Sequence, residues 1–189
     1  MEIKASTDVY CILGNPVRHS LSPAIHNTSF KSLGINALYC AFSPTSIKSG
    51  LEAMRSLGIK GASITIPFKS EALHYVDELD EMAELAGSIN TVVNREGRLM
   101  GYNTDGHGAL QSLQDGGIAV PGRRFLILGN GGSARAIAAV LLKNGAAVTI
   151  AGRSRNNVDA LTGRLMERFN KVSGLLIPSL DRKILQETD

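Results

Sequence analysis

Short apolar runs alternate along the chain with stretches whose apolar residues recur at helical spacing, and this alternation predicts an α/β architecture. Val9–Leu13 reads as a first strand, closed by a Gly14-Asn15-Pro16 turn. Ser22-Pro23 predicts a helix start, with Ser22 as N-cap, Pro23 in the first turn and Gly34 at the far end. Ala37–Phe42 is a second strand. Ile47, Leu51 and Met54 fall at i, i+4 and i+7 and mark the buried face of a helix that stops at Gly58. Ala62–Ile66 makes a third strand, ended by Pro67, which has no N–H to give a sheet. Ile89–Val93 and Leu99–Tyr102 predict a hairpin around Asn94–Gly97.

Turn formers gather in Gln114–Gly122, which predicts a boundary between a domain of residues 1–117 and one of residues 118–189. Beyond it the pattern is a strand at Phe125–Leu128, a helix at Ser133–Asn144, a strand at Val148–Ala151, a helix at Val158–Phe169 and a strand at Gly174–Ile177. That β-α-β-α-β order is one mononucleotide-binding half of a doubly wound sheet, where a full dinucleotide domain has two. The expected fold is an N-terminal α/β domain followed by a partial, βαβαβ Rossmann-like domain.

Composition narrows the classes. Hydrophobic residues make up 43% and charged residues 20% of the 189, a globular balance. No window nears the roughly 18 uninterrupted apolar residues of a membrane span. The N-terminal stretch MEIKASTDVYCILG has too short an apolar run for a secretion signal, so a cytoplasmic location is expected. The net charge is only +3, and Arg123-Arg124 and Arg153 with Arg155 are local pairs rather than a stripe that would grip nucleic acid. A small anionic ligand suits this balance better. Cys11 and Cys40 lie in apolar strand-like runs and read as reduced buried thiols, and the four histidines are scattered, so no metal site is expected.

The sharpest chemical signal is Gly129-Asn130-Gly131-Gly132-Ser133-Ala134, a GxGxxA turn directly after a buried strand and directly before a helix. Gly129 permits the tight turn, Gly131 lets a pyrophosphate approach the backbone, and Ala134 lets the helix pack closely, with free helix N–H groups facing phosphate. The next strand ends in Ala151-Gly152-Arg153-Ser154-Arg155, with arginines where a site for NAD carries a carboxylate. A carboxylate repels a ribose 2′-phosphate and a guanidinium binds it, so NADP is the expected cofactor.

Four polar clusters punctuate the first part: Ser20-Leu21-Ser22-Pro23, Thr65 with Lys69, Asn90, and Asn103-Thr104-Asp105-Gly106. Singly, each reads as a cap or a turn. As a set, GNPVRHSLSPAIHN, GASITIPFK, GSINTV, GYNTDG, GNGGSARA and AGRS resemble the motifs of the shikimate dehydrogenase family, in family order, from about residue 9 to residue 178. The resemblance implies reversible, NADPH-dependent reduction of 3-dehydroshikimate to shikimate, on the route to chorismate and the aromatic amino acids. It implies that residues 1–117 form the substrate-binding and catalytic domain and residues 118–189 the first half of the NADP-binding domain. Ser20 and Ser22 would hold the substrate carboxylate, Thr65, Asn90, Asp105 and Lys69 its hydroxyls, and Lys69 and Asp105 would be the catalytic pair. Gly129, Asn130, Gly131, Gly132, Ser133, Ala134, Arg153 and Ser154 would line the cofactor.

Two departures qualify the likeness. Members of the family commonly carry Asn before the NADP-selecting arginine, and here Gly152 stands there. Relatives also continue through further strands, so the chain reads as C-terminally truncated relative to the family. It is expected to be a poor or inactive dehydrogenase by itself, with a bare sheet edge inviting a homo-oligomer. The competing readings are a quinate/shikimate dehydrogenase and a binding-only or fragment protein. Quinate's extra hydroxyl needs room near the carboxylate, and retention of both Ser20 and Ser22 favours shikimate.

Overall fold

The computed structural model describes residues 3–189, which divide into two compact units. The first comprises residues up to 80 together with 89–102. Its sheet has the order β2-β1-β3-β5-β6-β4, from β1 (Asp8–Leu13), β2 (Ala37–Phe42), β3 (Gly61–Ile64), β4 (Glu78–Leu79), β5 (Thr91–Arg95) and β6 (Arg98–Tyr102). β1 runs parallel to β2 and β3, while β3–β5 and β5–β6 are antiparallel.

Helix α1 (Ser22–Leu33) guards the outer edge of β2. The Asn27 amide donates to the Tyr39 carbonyl at 2.9 Å and accepts from the Tyr39 N–H at 2.8 Å, occupying backbone groups that would otherwise invite another strand. Helix α2 (Ile47–Ser56) buries Ile47, Leu51 and Met54, the face its spacing predicts. Its Ser46 N-cap accepts from the Ser49 N–H at 3.1 Å. The β5–β6 hairpin turns on Glu96 and Gly97, both at positive φ (54° and 89°), the geometry of a two-residue turn that matches strand twist.

The second unit holds residues 81–88 and 103–189. Its parallel sheet, β7-β8-β9, is built from β7 (Arg124–Leu128), β8 (Ala147–Gly152) and β9 (Val172–Leu176). Helices α5 (Gly132–Lys143) and α6 (Arg155–Met166) connect the strands, giving the expected βαβαβ order. Val140, Val148, Ile150, Leu161 and Leu165 form its core. Helix α7 (Arg182–Gln186) follows β9, and the N–H and carboxylate of Asp189 bond to the Arg124 backbone on β7.

The units do not divide at 117/118 as the turn-rich segment suggests. Two short helices, α3 (Glu81–Ala86) and α4 (Asp105–Asp115), belong with the second unit because their apolar faces pack on its core. Met82 and Leu85 are buried there, with Leu110 and Leu113 against them. α4 approaches α5 so closely that a Cβ on Gly106 would stand 2.5 Å from the Ala136 carbonyl oxygen. The Glu81 carboxylate binds Lys143 at 2.5 Å, and that hydrogen bond, then the Lys143 charge, holds Glu81 below the usual carboxylate range.

Candidate functional site

In the first unit, the polar residues gather at one end of the sheet because of strand direction. β1 and β3 run parallel, so the segments that leave them, carrying Ser20–Ser22 and Thr65–Lys69, start from the same edge. β5 runs the other way, so its approach, at Asn90, begins where β3 finishes. Backbone hydrogen bonds fix the meeting point. The Thr65 N–H donates to Leu13 at 3.0 Å, Ile64 to Asn90 at 2.7 Å, and Ile89 to Lys69 at 2.8 Å. Asn90 in turn donates its N–H to Tyr102 at 3.0 Å. Thr65 comes so close to β1 that any Cβ on Gly14 would collide with its methyl group, so this position needs glycine.

Ser22 is not the N-cap that its place before Pro23 suggests. It is the first helical residue, Leu21 holds the cap position, and no side chain caps the helix. Instead the Ser20 hydroxyl accepts from the Ser22 N–H at 3.2 Å, the turn a serine makes two residues ahead of a backbone donor. The Ser22 hydroxyl is thus not used as a cap.

A polar pair that motif reasoning passed over adjoins this end of the sheet. Tyr39 donates its hydroxyl to Ser63 at 2.7 Å, and His26 stacks on the Tyr39 ring with centroids 4.3 Å apart. The signal was present, since Ser63 stands in β3 only two residues before Thr65. Cys11 and Cys40 are register partners on β1 and β2, and both are free. Burial, then the neighbouring Cys40, pushes the Cys11 thiol up to about 12, which removes it as a nucleophile at neutral pH.

In the second unit, the glycine-rich turn joins β7 to α5. Gly129 has φ 112°, a conformation side-chain-bearing residues rarely adopt, and its N–H donates to Ala151 at 2.7 Å, tying the turn to the end of β8. Gly131 is the N-cap residue of α5, and a Cβ there would meet nothing within 4 Å, so the helix N-terminus opens to space. Arg135 braces the turn from behind, with Nε donating to the Asn130 carbonyl at 3.2 Å. Burial first, and then the charge of Arg164, lowers the affinity of that guanidinium for its proton.

Asp105 opens α4 and is tied to this turn. The Ser133 hydroxyl donates to the Asp105 carboxylate at 2.7 Å. The Asp105 N–H donates to the Asn103 side chain at 3.1 Å, the Asn103 amide donates to the Ser88 carbonyl at 2.8 Å, and the Ser88 hydroxyl donates to the Gly132 carbonyl at 3.2 Å. Ser88 and Asn103 are buried, and the ring of bonds fixes the carboxylate relative to the turn. Ser88 and Asn103 lie within the GSINTV and GYNTDG motifs, but only the fold reveals that they meet.

Arg153 and Ser154 follow β8 and are exposed. Arg155 faces Asp159 at 3.8 Å, whereas among the described residues no carboxylate pairs with Arg153.

The family model for the shikimate dehydrogenase substrate binding domain matches residues 12–92. NADP(+)-dependent shikimate dehydrogenase of Caldanaerobacter subterraneus subsp. tengcongensis is 41% identical over 172 residues, covering 89% of this chain and 61% of that protein. The crystal structure of shikimate 5-dehydrogenase from Listeria monocytogenes, in complex with shikimate and NAD, superposes on the whole chain and on 68% of its own with a TM-score of 0.92 at 30% identity. The chain belongs to the shikimate dehydrogenase family. The structure of shikimate 5-dehydrogenase from Thermus thermophilus in complex with NADP(H) and shikimate matches 89% of the chain and 62% of its own at 35% identity, TM-score 0.79. The chain spans about 61% of the length of the Caldanaerobacter relative. The family fold, an α/β domain followed by a Rossmann-like parallel unit, is the one the sequence pattern predicts.

Proposed function

We propose that this protein is an NADP-dependent shikimate dehydrogenase, reversibly reducing 3-dehydroshikimate to shikimate on the route to chorismate and the aromatic amino acids. The observation that carries the reading is the gathering of Thr65, Lys69 and Asn90 at one end of the first sheet by backbone hydrogen bonds. In this reading Ser20 and Ser22 hold the substrate carboxylate, and Thr65 and Asn90 meet its ring hydroxyls. Lys69 and Asp105 are the catalytic pair, with Lys69 protonating the oxygen that becomes the hydroxyl. The first unit is the substrate domain and the second takes the cofactor.

NADPH supplies the hydride. The second unit suits its phosphates: the Gly129–Gly132 turn leads into the open N-terminus of α5, and Arg153, which has no carboxylate partner among the described residues, stands where a 2′-phosphate would be read. Asn130, Ser133, Ala134 and Ser154 complete that lining. Two free thiols side by side on adjacent strands suit a reducing compartment, which supports a cytoplasmic location. The outer edge of the second sheet at its last strand, β9, is where a further copy would add a strand in a homo-oligomer.

Calorimetric titration with shikimate and with quinate tests the substrate assignment. Shikimate should bind more tightly than quinate, and Ser20→Ala combined with Ser22→Ala should weaken it about 10²–10⁴-fold, two hydrogen bonds to a charged group being lost. Thermal melting of the single variants should show a loss of about 1 kcal/mol for Ser20→Ala and little for Ser22→Ala, because of the two only the Ser20 hydroxyl accepts a backbone N–H. Wild-type affinity in the double variant would move the carboxylate elsewhere, and tighter quinate binding would make quinate the substrate.

A further inference from the structure

Gly152 ends β8 in a place with no room for a side chain. A Cβ there would stand 2.5 Å from Val158 Cγ2 and 3.2 Å from Asn130 Nδ2. The second of these atoms reaches over from the glycine-rich turn, which the Gly129 N–H holds against the end of the same strand. The Asn130 amide therefore occupies the space beside residue 152, immediately before Arg153. Its backbone carbonyl is engaged by Arg135, but its Nδ2 is buried and has no hydrogen-bond partner among the described residues. A buried amide donor without an acceptor is a cost to the free protein, and native structures leave few of them.

We propose that Asn130 Nδ2 is a cofactor donor, directed at the phosphorylated ribose on the adenosine side of NADP from the space beside Gly152. The inference rests on the NADP reading above. Three features support it. The ribose of a dinucleotide is read at the end of the second strand of such a sheet, which here is Gly152-Arg153. Both polar groups there, the Asn130 amide nitrogen and the Arg153 guanidinium, are donors, and neither has a carboxylate partner among the described residues. Phosphate and ribose oxygens are acceptors, so one ligand satisfies the orphaned donor and the arginine together. Asn130 is then a specificity-determining residue, favouring a ribose that carries phosphate.

The test uses the 189-residue chain with Asn130→Ala and Asn130→Asp. Each variant is melted without ligand, then titrated calorimetrically with NADP and with adenosine 2′,5′-bisphosphate. An orphaned donor whose function is to meet a ligand gives effects of opposite sign in the two experiments. Asn130→Ala should melt at the wild-type temperature or above, yet bind both compounds about ten-fold more weakly. Asn130→Asp should bind more weakly still, because a carboxylate then faces the phosphate. Wild-type affinity in Asn130→Ala, or a lowered melting temperature, would overturn the assignment and make the amide structural. If the unaltered chain binds neither compound, the NADP reading itself falls. If it binds both and the Asn130→Ala variant matches it, only the role of Asn130 falls.

Discussion

Replacing Arg153 with Asp is expected to weaken NADP binding about 100-fold while leaving the affinity for NAD unchanged or improved. The substitution removes a charge-assisted partner of the 2′-phosphate and adds a repulsive carboxylate, and the first effect alone is worth roughly 1.5–3 kcal/mol. In place of the phosphate, the new carboxylate can accept from a ribose 2′-hydroxyl, which is how sites for NAD work. Arg155 is the alternative reader, since its exposed ion pair with Asp159 at 3.8 Å is too weak to keep it from a phosphate. Competitive binding measurements with the two cofactors decide the matter. An unchanged ratio of affinities would show that the phosphate is read by another group.

Lys69→Ala should lower the turnover number by about 10²–10⁴-fold with little change in KM for shikimate, because a positioned proton donor acts mainly in the transition state. The site geometry limits side effects. Lys69 is tied to the first unit through its backbone, its carbonyl accepting from the Ile89 N–H, so truncating the side chain leaves that bond in place. Steady-state kinetics on the variant, with circular dichroism to verify the fold, separate the two parameters. Retained turnover would take the proton-transfer role from Lys69. A rise in KM with turnover unchanged would make it a binding residue only.

Much of the fold was legible because its elements obey simple periods. The Ile47, Leu51, Met54 spacing located the buried face of α2, and the Asn94–Gly97 turn located the β5–β6 hairpin. The glycine-rich turn was readable because φ 112° at Gly129 leaves glycine as the natural residue. What escaped was short or non-local. α3 spans six residues, too few for a helical period to stand out, and its membership of the second unit depends on Met82 and Leu85 finding a core built from residues beyond 120. That distant packing also explains why the turn-rich segment 114–122 was a poor guide to the division between units.

At the candidate site, residue types were legible and their bonding was not. Ser-Leu-Ser-Pro offers two hydroxyls to one helix start, and only the backbone conformation decides that Ser20, not Ser22, meets the free N–H. Likewise the sequence reveals an arginine pair at 153 and 155, but the i, i+4 contact with Asp159 is what distinguishes them. The orphaned amide of Asn130 depends on the narrow space over Gly152, a property of two segments about 20 residues apart that no motif records.

The most direct test of the proposed activity is to supply shikimate with NADP and follow the appearance of NADPH, with quinate and NAD as the alternatives in parallel. Shikimate-dependent formation of NADPH, slow beside a full-length relative but faster than the reaction with quinate or with NAD, is the expected result. Binding of shikimate and NADP with no NADPH formed, or faster turnover of quinate, would contradict the assignment of this protein as an NADP-dependent shikimate dehydrogenase.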